Sequence, residues 1–225
     1  MQAPVHRLSK DKIVWLANHK CKHRHTYLEH YNCYLSECPE AEEKVGFLDI
    51  ESSNLDANFG IMLSYCIKEK GSNKIYKDVI NQNDIKKNPA DKTDKRVVEN
   101  CIRDMMRFDR VVAHYGRKFD MPFIRTRAIM CGVDFPCYGS LCMDDTWQWA
   151  KNKLKLNSNR LDTIVRALTG NSEKTHVDYK YWIGGVRGDK KSLDYILDHN
   201  IKDVVELEKI WEKLRDYVKI NKSSI

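Results

Sequence analysis

A chain of 225 residues, 42% of them hydrophobic, is long enough for one sizeable α/β domain with a small appendage, and that hydrophobic content is ordinary for a globular protein. The formal charge of +7 and pI near 8.9 favour an anionic partner, while no apolar run approaches the roughly 18 residues a membrane span needs. Eight cysteines at this length do not make a disulfide-stapled mini-protein, and Cys66 and Cys101 fall in predicted core elements, so reduced thiols are expected.

Residues 1–43 are rich in His, Cys, Tyr and Lys, show no sustained hydrophobic period and read as an appendage held by local chemistry. Arg7, Lys10, Asp11 and Lys12 stand where a signal peptide needs an apolar run, which points to an intracellular, cytoplasmic protein. The main domain is expected over residues 44–219, with a polar tail at 220–225. Residues 45–50 predict its first strand; residues 59–68 and 73–80 predict two more, turned at Gly71-Ser72-Asn73 into a three-strand meander. From Asp94 to Phe108, the residues Val97, Val98, Cys101, Ile102, Met105 and Met106 share one helical stripe, followed by a strand at Arg110 to Ala113. A helix is predicted from Asp120, with Pro122 in its first turn, to about Met130, stopping near Gly132. A short strand at 141–143 leads into helices over 146–153 and 160–168. The longest helix runs from Ser192, as its N-cap, to about Val218, with Leu193, Ile196, Leu197, Ile201, Val204, Leu207 and Ile210 at helical spacing. Strands followed by alternating helices and strands, then helices, imply a mixed sheet flanked by helices.

Within the first strand, the run Phe47-Leu48-Asp49-Ile50-Glu51 carries two carboxylates on an otherwise apolar stretch. Side chains alternate along a strand, so Asp49 and Glu51 project from one face about 7 Å apart, and Leu48 and Ile50 from the other. Two ionised acids there repel and resist desolvation. A bound hard cation such as Mg²⁺ answers both problems, whereas a solvated edge strand is the plainer alternative. Asp120 stands where an apolar strand breaks at Gly116 before a helix, and is either a cap or a third acid. His199 and Asp203, four residues apart on the last helix, share one face, and a helix laid against the sheet would aim both at Asp49 and Glu51. Asp144 and Asp145 follow a predicted strand and are rival ligands.

In this chain order the residues resemble the DEDD exonucleases of the ribonuclease H-like superfamily, the group that contains the proofreading domains of DNA polymerases. The resemblance spans roughly residues 44–215. It rests on Phe47 to Glu51, on Gly116 to Asp120 with its Phe-Asp pair, and on His199-Asn200-Ile201-Lys202-Asp203-Val204. The stretches 155–161 and 188–191 look like a bacterial and phage subgroup described only as predicted ribonuclease H-like exonucleases. The resemblance implies a ribonuclease H-like fold and a metal-dependent 3′-to-5′ exonuclease that releases nucleoside 5′-monophosphates. Asp49, Glu51, Asp120 and Asp203 would hold two Mg²⁺ or Mn²⁺ ions, and His199 would act as general base. There are two departures. Tyr115 stands where polymerase-type domains usually carry Asn, and His199 has the four-residue spacing of the subgroup that uses Tyr, which leaves Tyr195 as a substitute one turn earlier. A weakly catalytic nucleic-acid-binding module and an endonuclease of the same fold are the rival functions.

Positive charge is concentrated between Lys151 and Lys191, where ten Lys or Arg face four acids beside Tyr179, Tyr181 and Trp182, with Trp147 and Trp149 just before. Cations among stacking surfaces suit single-stranded DNA or RNA, and Tyr115, Lys118, Arg125, Arg127 and Arg160 are candidate contacts. In the appendage, Cys21, His23, His30 and Cys33 are the candidate ligands of a structural Zn²⁺, with His25 and Cys38 nearby, although the Cys-x-His opening is tighter than usual. As a docking element, the arm would instead meet a replication or repair protein.

Overall fold

The structure, a computed structural model, describes residues 10–38, 43–172, 178–219 and 225; Arg7, Glu173, Lys174 and the polar stretch 221–224 lie outside the described residues. The chain divides into two compact units, Met1–Glu43 and Lys44–Ile225. Among the described residues no helix is long and apolar enough to cross a membrane.

Among its described residues the smaller unit contains two helices that its irregular sequence does not announce, α1 (Lys10–Asn18) and α2 (Tyr31–Glu37). Between them lies a tight turn closed by a bridge between Lys20 and Thr26. Its core is small, with Leu16, Cys21, Tyr27 and Tyr34 buried.

The larger unit is built on five strands: β1 (Val45–Ser52), β2 (Met62–Glu69), β3 (Ile75–Val79), β4 (Arg110–Ala113) and β5 (Cys142–Asp145). Their order in the sheet is β3-β2-β1-β4-β5. The meander β1-β2-β3 is antiparallel, and β4 and β5 run parallel to β1. The sheet is therefore mixed, as expected. Helices follow as α3 (Gln82–Lys87), α4 (Lys95–Met105), α5 (Asp120–Cys131), α6 (Thr146–Lys153), α7 (Leu161–Thr169), α8 (Tyr179–Val186) and α9 (Lys190–Leu214). The second strand starts at Met62 rather than Phe59, which is exposed. The N-cap of α9 is Asp189, whose carboxylate accepts the Ser192 N–H at 2.9 Å and its hydroxyl at 2.6 Å; Ser192 is thus the capped residue and not the cap. Helix α5 ends where predicted, at Gly132 with φ +67°, a left-handed C-cap that favours glycine.

Strand alternation sorts the sheet into two cores. Leu48 and Ile50 of β1, Leu63, Tyr65 and Ile67 of β2, and Val111 and Ala113 of β4 pack with α4 and α5. Val45 and Phe47, Cys66 and Val112 point the other way, onto α6, α7 and the second half of α9. Phe47 meets Trp211 of α9 edge-on, with ring centroids 5.6 Å apart. By the same alternation Asp49 and Glu51 belong to the α9 side, at the end of β1 beyond that core. Buried ion pairs tie these elements together. Arg127 of α5 makes a two-pronged contact with Asp94 at 2.8 and 2.6 Å, and Arg110 of β4 meets Asp144 of β5 at 2.7 Å.

Candidate active site

The site forms where β1 and its parallel neighbour β4 end, between the antiparallel and parallel halves of the sheet, which is the crevice position expected of an open α/β sheet. Asp49 and Glu51 are half-buried there. Helix α9 packs across β1 and β2 and delivers His199, Asn200 and Asp203, all buried. His199 Nε2 lies 3.7 Å from Glu51 Oε1 and 3.7 Å from Asp203 Oδ2. Donor atoms of Glu51, His199 and Asp203 all fall within 4.8 Å of one another. Asn200, part of the third motif but given no role there, donates from Nδ2 to Asp49 Oδ2 at 2.6 Å and accepts the Ser64 hydroxyl at 3.4 Å. A carboxylate only accepts, so this contact fixes which end of the amide faces Asp49. Asn200 stands four residues after Ile196 and four before Val204, on the apolar stripe of α9. A polar residue at that spacing was the signal that it has a buried partner.

Asp120 comes to the same place from the β4–α5 junction. It is buried, and its Oδ1 accepts the backbone N–H of Ile50, between Asp49 and Glu51, at 3.3 Å. Gly116 makes this turn possible, since a Cβ there would lie 2.4 Å from Ala113 Cβ and 2.4 Å from Met143 Cε. The turn is held from beneath by Asp145, which accepts the N–H of Tyr115 at 3.1 Å and of Arg117 at 3.1 Å while capping α6 through Trp147 and Gln148. Tyr115 adopts φ +67° within it. Asp144 is engaged by Arg110 and by Trp211 Nε1 at 3.0 Å. The two rival acids therefore serve the frame.

Burial drives the Asp120 carboxyl up to about 7, against the lowering effect of its own backbone N–H and that of Ile50. A desolvated carboxyl is ionised more readily beside a cation. Carboxylate oxygens are what hard divalent ions take, and those of Glu51 and Asp203 lie with a ring nitrogen of His199 within 4.8 Å of one another, a group that could hold a metal ion.

Beside the acids opens a cleft of about 810 Å³ whose lining includes Asp49, His114, Tyr115, Trp147, Arg160 and Asp203. The rings of Tyr115 and Trp147 meet edge-on at 4.9 Å, and Lys151 Nζ lies 4.8 Å from the Trp147 centroid. His114, also unforeseen, spans from β4 to the far wall: Nδ1 is 3.0 Å from Thr146 Oγ1, and Nε2 is 2.9 Å from the Asn159 carbonyl oxygen, next to Arg160. Other expected contacts sit elsewhere. Arg127 is buried against Asp94, which removes it from any substrate. The Arg125 guanidinium lies 5.0 Å from the Phe135 ring centroid, and neither it nor exposed Lys118 is part of the cleft lining. Trp149 and Trp182 pack on the two cores. Tyr181 stacks on Tyr195 at 4.1 Å, so Tyr195 already has an aromatic partner on α8.

A family model of the RNase_H superfamily matches residues 46–215, and the chain belongs to that superfamily. No curated protein matches it. Among solved structures its fold is similar to that of the family B DNA polymerase from the hyperthermophilic archaeon Pyrobaculum calidifontis, with 17% identity and a TM-score of 0.63. That match covers 78% of this chain and 25% of the polymerase, so the chain spans about a quarter of that protein. Family and fold support a nuclease, for which nucleic acid is the substrate, and nucleases of this superfamily generally use divalent metals.

Proposed function

We propose that the chain is a metal-dependent 3′-to-5′ exonuclease acting on single-stranded DNA or RNA ends. The observation that carries this reading is the convergence of Glu51, His199 and Asp203 within 4.8 Å, with Asp49 tied to the neighbouring Asn200 and Asp120 to the Ile50 N–H. Asp49, Glu51, Asp120 and Asp203 would hold two Mg²⁺ or Mn²⁺ ions. Such ions, when bound, stabilise charge on the attacking and leaving oxygens of a phosphodiester. His199 takes the proton of the attacking water on Nε2, the atom that faces the acids. Tyr115 and Trp147 offer ring faces to the terminal bases, and Arg160 a guanidinium to the backbone phosphates, along the cleft that leads to Asp49 and Asp203.

The test is a time course on 5′-labelled single strands of DNA and RNA of equal sequence, in Mg²⁺, Mn²⁺ or EDTA, with Asp203→Asn as control. The expected result is a metal-dependent ladder that shortens from the 3′ end and is absent from the control. Internal cuts in a circular single strand would replace this reading with an endonuclease. Uncut substrate that shifts on a native gel would replace it with a binding module.

A further inference from the structure

The smaller unit poses a separate problem, because it has ordered elements but little to hold them. A unit of this size falls near the limit of roughly 40 residues below which a fold usually needs a disulfide, a metal or a partner. Among its described residues the buried apolar set is Leu16, Cys21, Tyr27 and Tyr34. Its described cysteines, Cys21, Cys33 and Cys38, are all free thiols, so no disulfide among them staples it.

Four soft donors nevertheless meet at one point. Sγ of Cys21 and Cys33 and ring nitrogens of His23 and His30 all lie within 4.8 Å of one another. His23 Nδ1 is 4.0 Å from Cys21 Sγ and 3.4 Å from Cys33 Sγ, and His30 Nδ1 is 3.9 Å from Cys33 Sγ. A tetrahedral Zn²⁺ with bonds of ~2.3 Å to sulfur and ~2.0–2.1 Å to nitrogen has ligand-to-ligand edges of roughly 3.3–3.8 Å. The observed separations nearly match this tetrahedron before any ion draws them in. The backbone is shaped to present them. Cys21 and His23 ride a tight turn in which the Arg24 N–H donates to the Cys21 carbonyl at 2.8 Å and the Cys21 N–H to the His25 carbonyl at 2.9 Å. Arg24 accepts φ +67° to close it, a conformation unfavourable for a side chain of its size. His30 and Cys33 come from the start of α2, one helical turn apart.

We infer that Cys21, His23, His30 and Cys33 form a structural Zn²⁺ site, with both histidines ligating through Nδ1. Two thiolates and two neutral imidazoles balance the ion's charge, and binding releases two protons from the thiols. Four protein donors fill the tetrahedron and leave no open position for water, which separates this site from catalysis. Of the neighbouring candidates, His25 packs on the His30 ring at 4.0 Å. The site stands independently of the nuclease reading.

The test is the zinc content of the purified full chain after dialysis against a weak chelator. Wild type and Asp203→Asn are each expected to retain one zinc per chain, and a Cys21→Ser/Cys33→Ser double variant to retain none. Reconstitution of the wild type with Co²⁺ should show thiolate-to-metal charge transfer and tetrahedral d–d bands. A mercurial that caps thiols should release one equivalent of zinc from the wild type, a readout that survives even if the double variant does not fold. A chain without equimolar zinc, zinc that persists without the two cysteines, zinc that leaves with Asp203, or an octahedral Co²⁺ spectrum would each overturn the site.

Discussion

Asn200 decides how Asp49 is presented. The Asn200 Nδ2 contact at 2.6 Å holds Oδ2 of the Asp49 carboxylate, a residue that lines the cleft. Losing a hydrogen bond that orients a metal-ligating carboxylate typically lowers metal affinity or activity by roughly 10- to 100-fold. Asn200→Ala should therefore raise the Mn²⁺ concentration for half-maximal rate by that order while the protein stays folded, and an unchanged metal dependence would remove Asn200 from the site. His199 and Tyr195 make a second contrast. His199→Ala should cut turnover by roughly 10²-fold or more and leave metal binding largely intact. Tyr195→Phe should change little, because the ring stacks on Tyr181. If the pattern were reversed, Tyr195 would be the activating residue.

At the scale of elements, the α4–α5 layer that underlies Asp120 is pinned by Arg127 and Asp94, whose side chains are 1% and 0% exposed. Arg127 also donates to the Ala57 carbonyl at 3.1 Å, and Asp94 accepts the Met62 N–H, so the pair joins α5, α4 and β2. Arg127→Met leaves a buried carboxylate without its counter-ion and should cost about 3–5 kcal/mol in urea unfolding. Asp94→Asn/Arg127→Met should recover part of that loss, which a surface pair would not show. This pair also marks the limit of what the chain discloses by pattern. A basic residue three positions into a helix face reads as solvated, and only the fold reveals that the face is internal. Helices α4 and α9 were legible from their apolar periodicity, and α5 from its terminal signals, Pro122 in the first turn and Gly132 at its end. Helix α3 was not, since Gln82–Lys87 is polar apart from Ile85 and depends on the Asn81 capping box and on Arg96 bridging Asp78 and Asp84. Helix α8 was hidden by Gly184 and Gly185, residues poor in helix propensity that are small because α9 lies against them. The acids were readable as an ordered set along the chain. Their surroundings were less so: Asn200 was marked only by its place on the apolar stripe of α9, and Asp145 read as a rival ligand, because the contacts that define both are made through space.

For the whole molecule, the charge of +7 and the cleft beside the acids together set how substrate should be held. Arg160, Tyr115 and Trp147 line that cleft, and Lys151 Nζ lies over the Trp147 ring, so the cleft offers both a cation and stacking surfaces. Backbone contacts to a single strand release counter-ions, and log K falls by about 0.7 per neutralised phosphate for each tenfold rise in salt. Stacking contributes about 1–3 kcal/mol per base and is much less sensitive to salt. The two variants should then separate cleanly. Trp147→Ala should raise KM by roughly 5- to 150-fold at every salt concentration, with kcat changed less and the salt slope kept. Arg160→Ala should raise KM most at low salt and flatten the slope by about 0.7. Measuring KM for both variants across a salt series resolves the two contributions. A Trp147→Ala enzyme with unchanged KM, or an Arg160→Ala enzyme with the wild-type slope, would place the strand outside this cleft and leave the acids to be approached from another side.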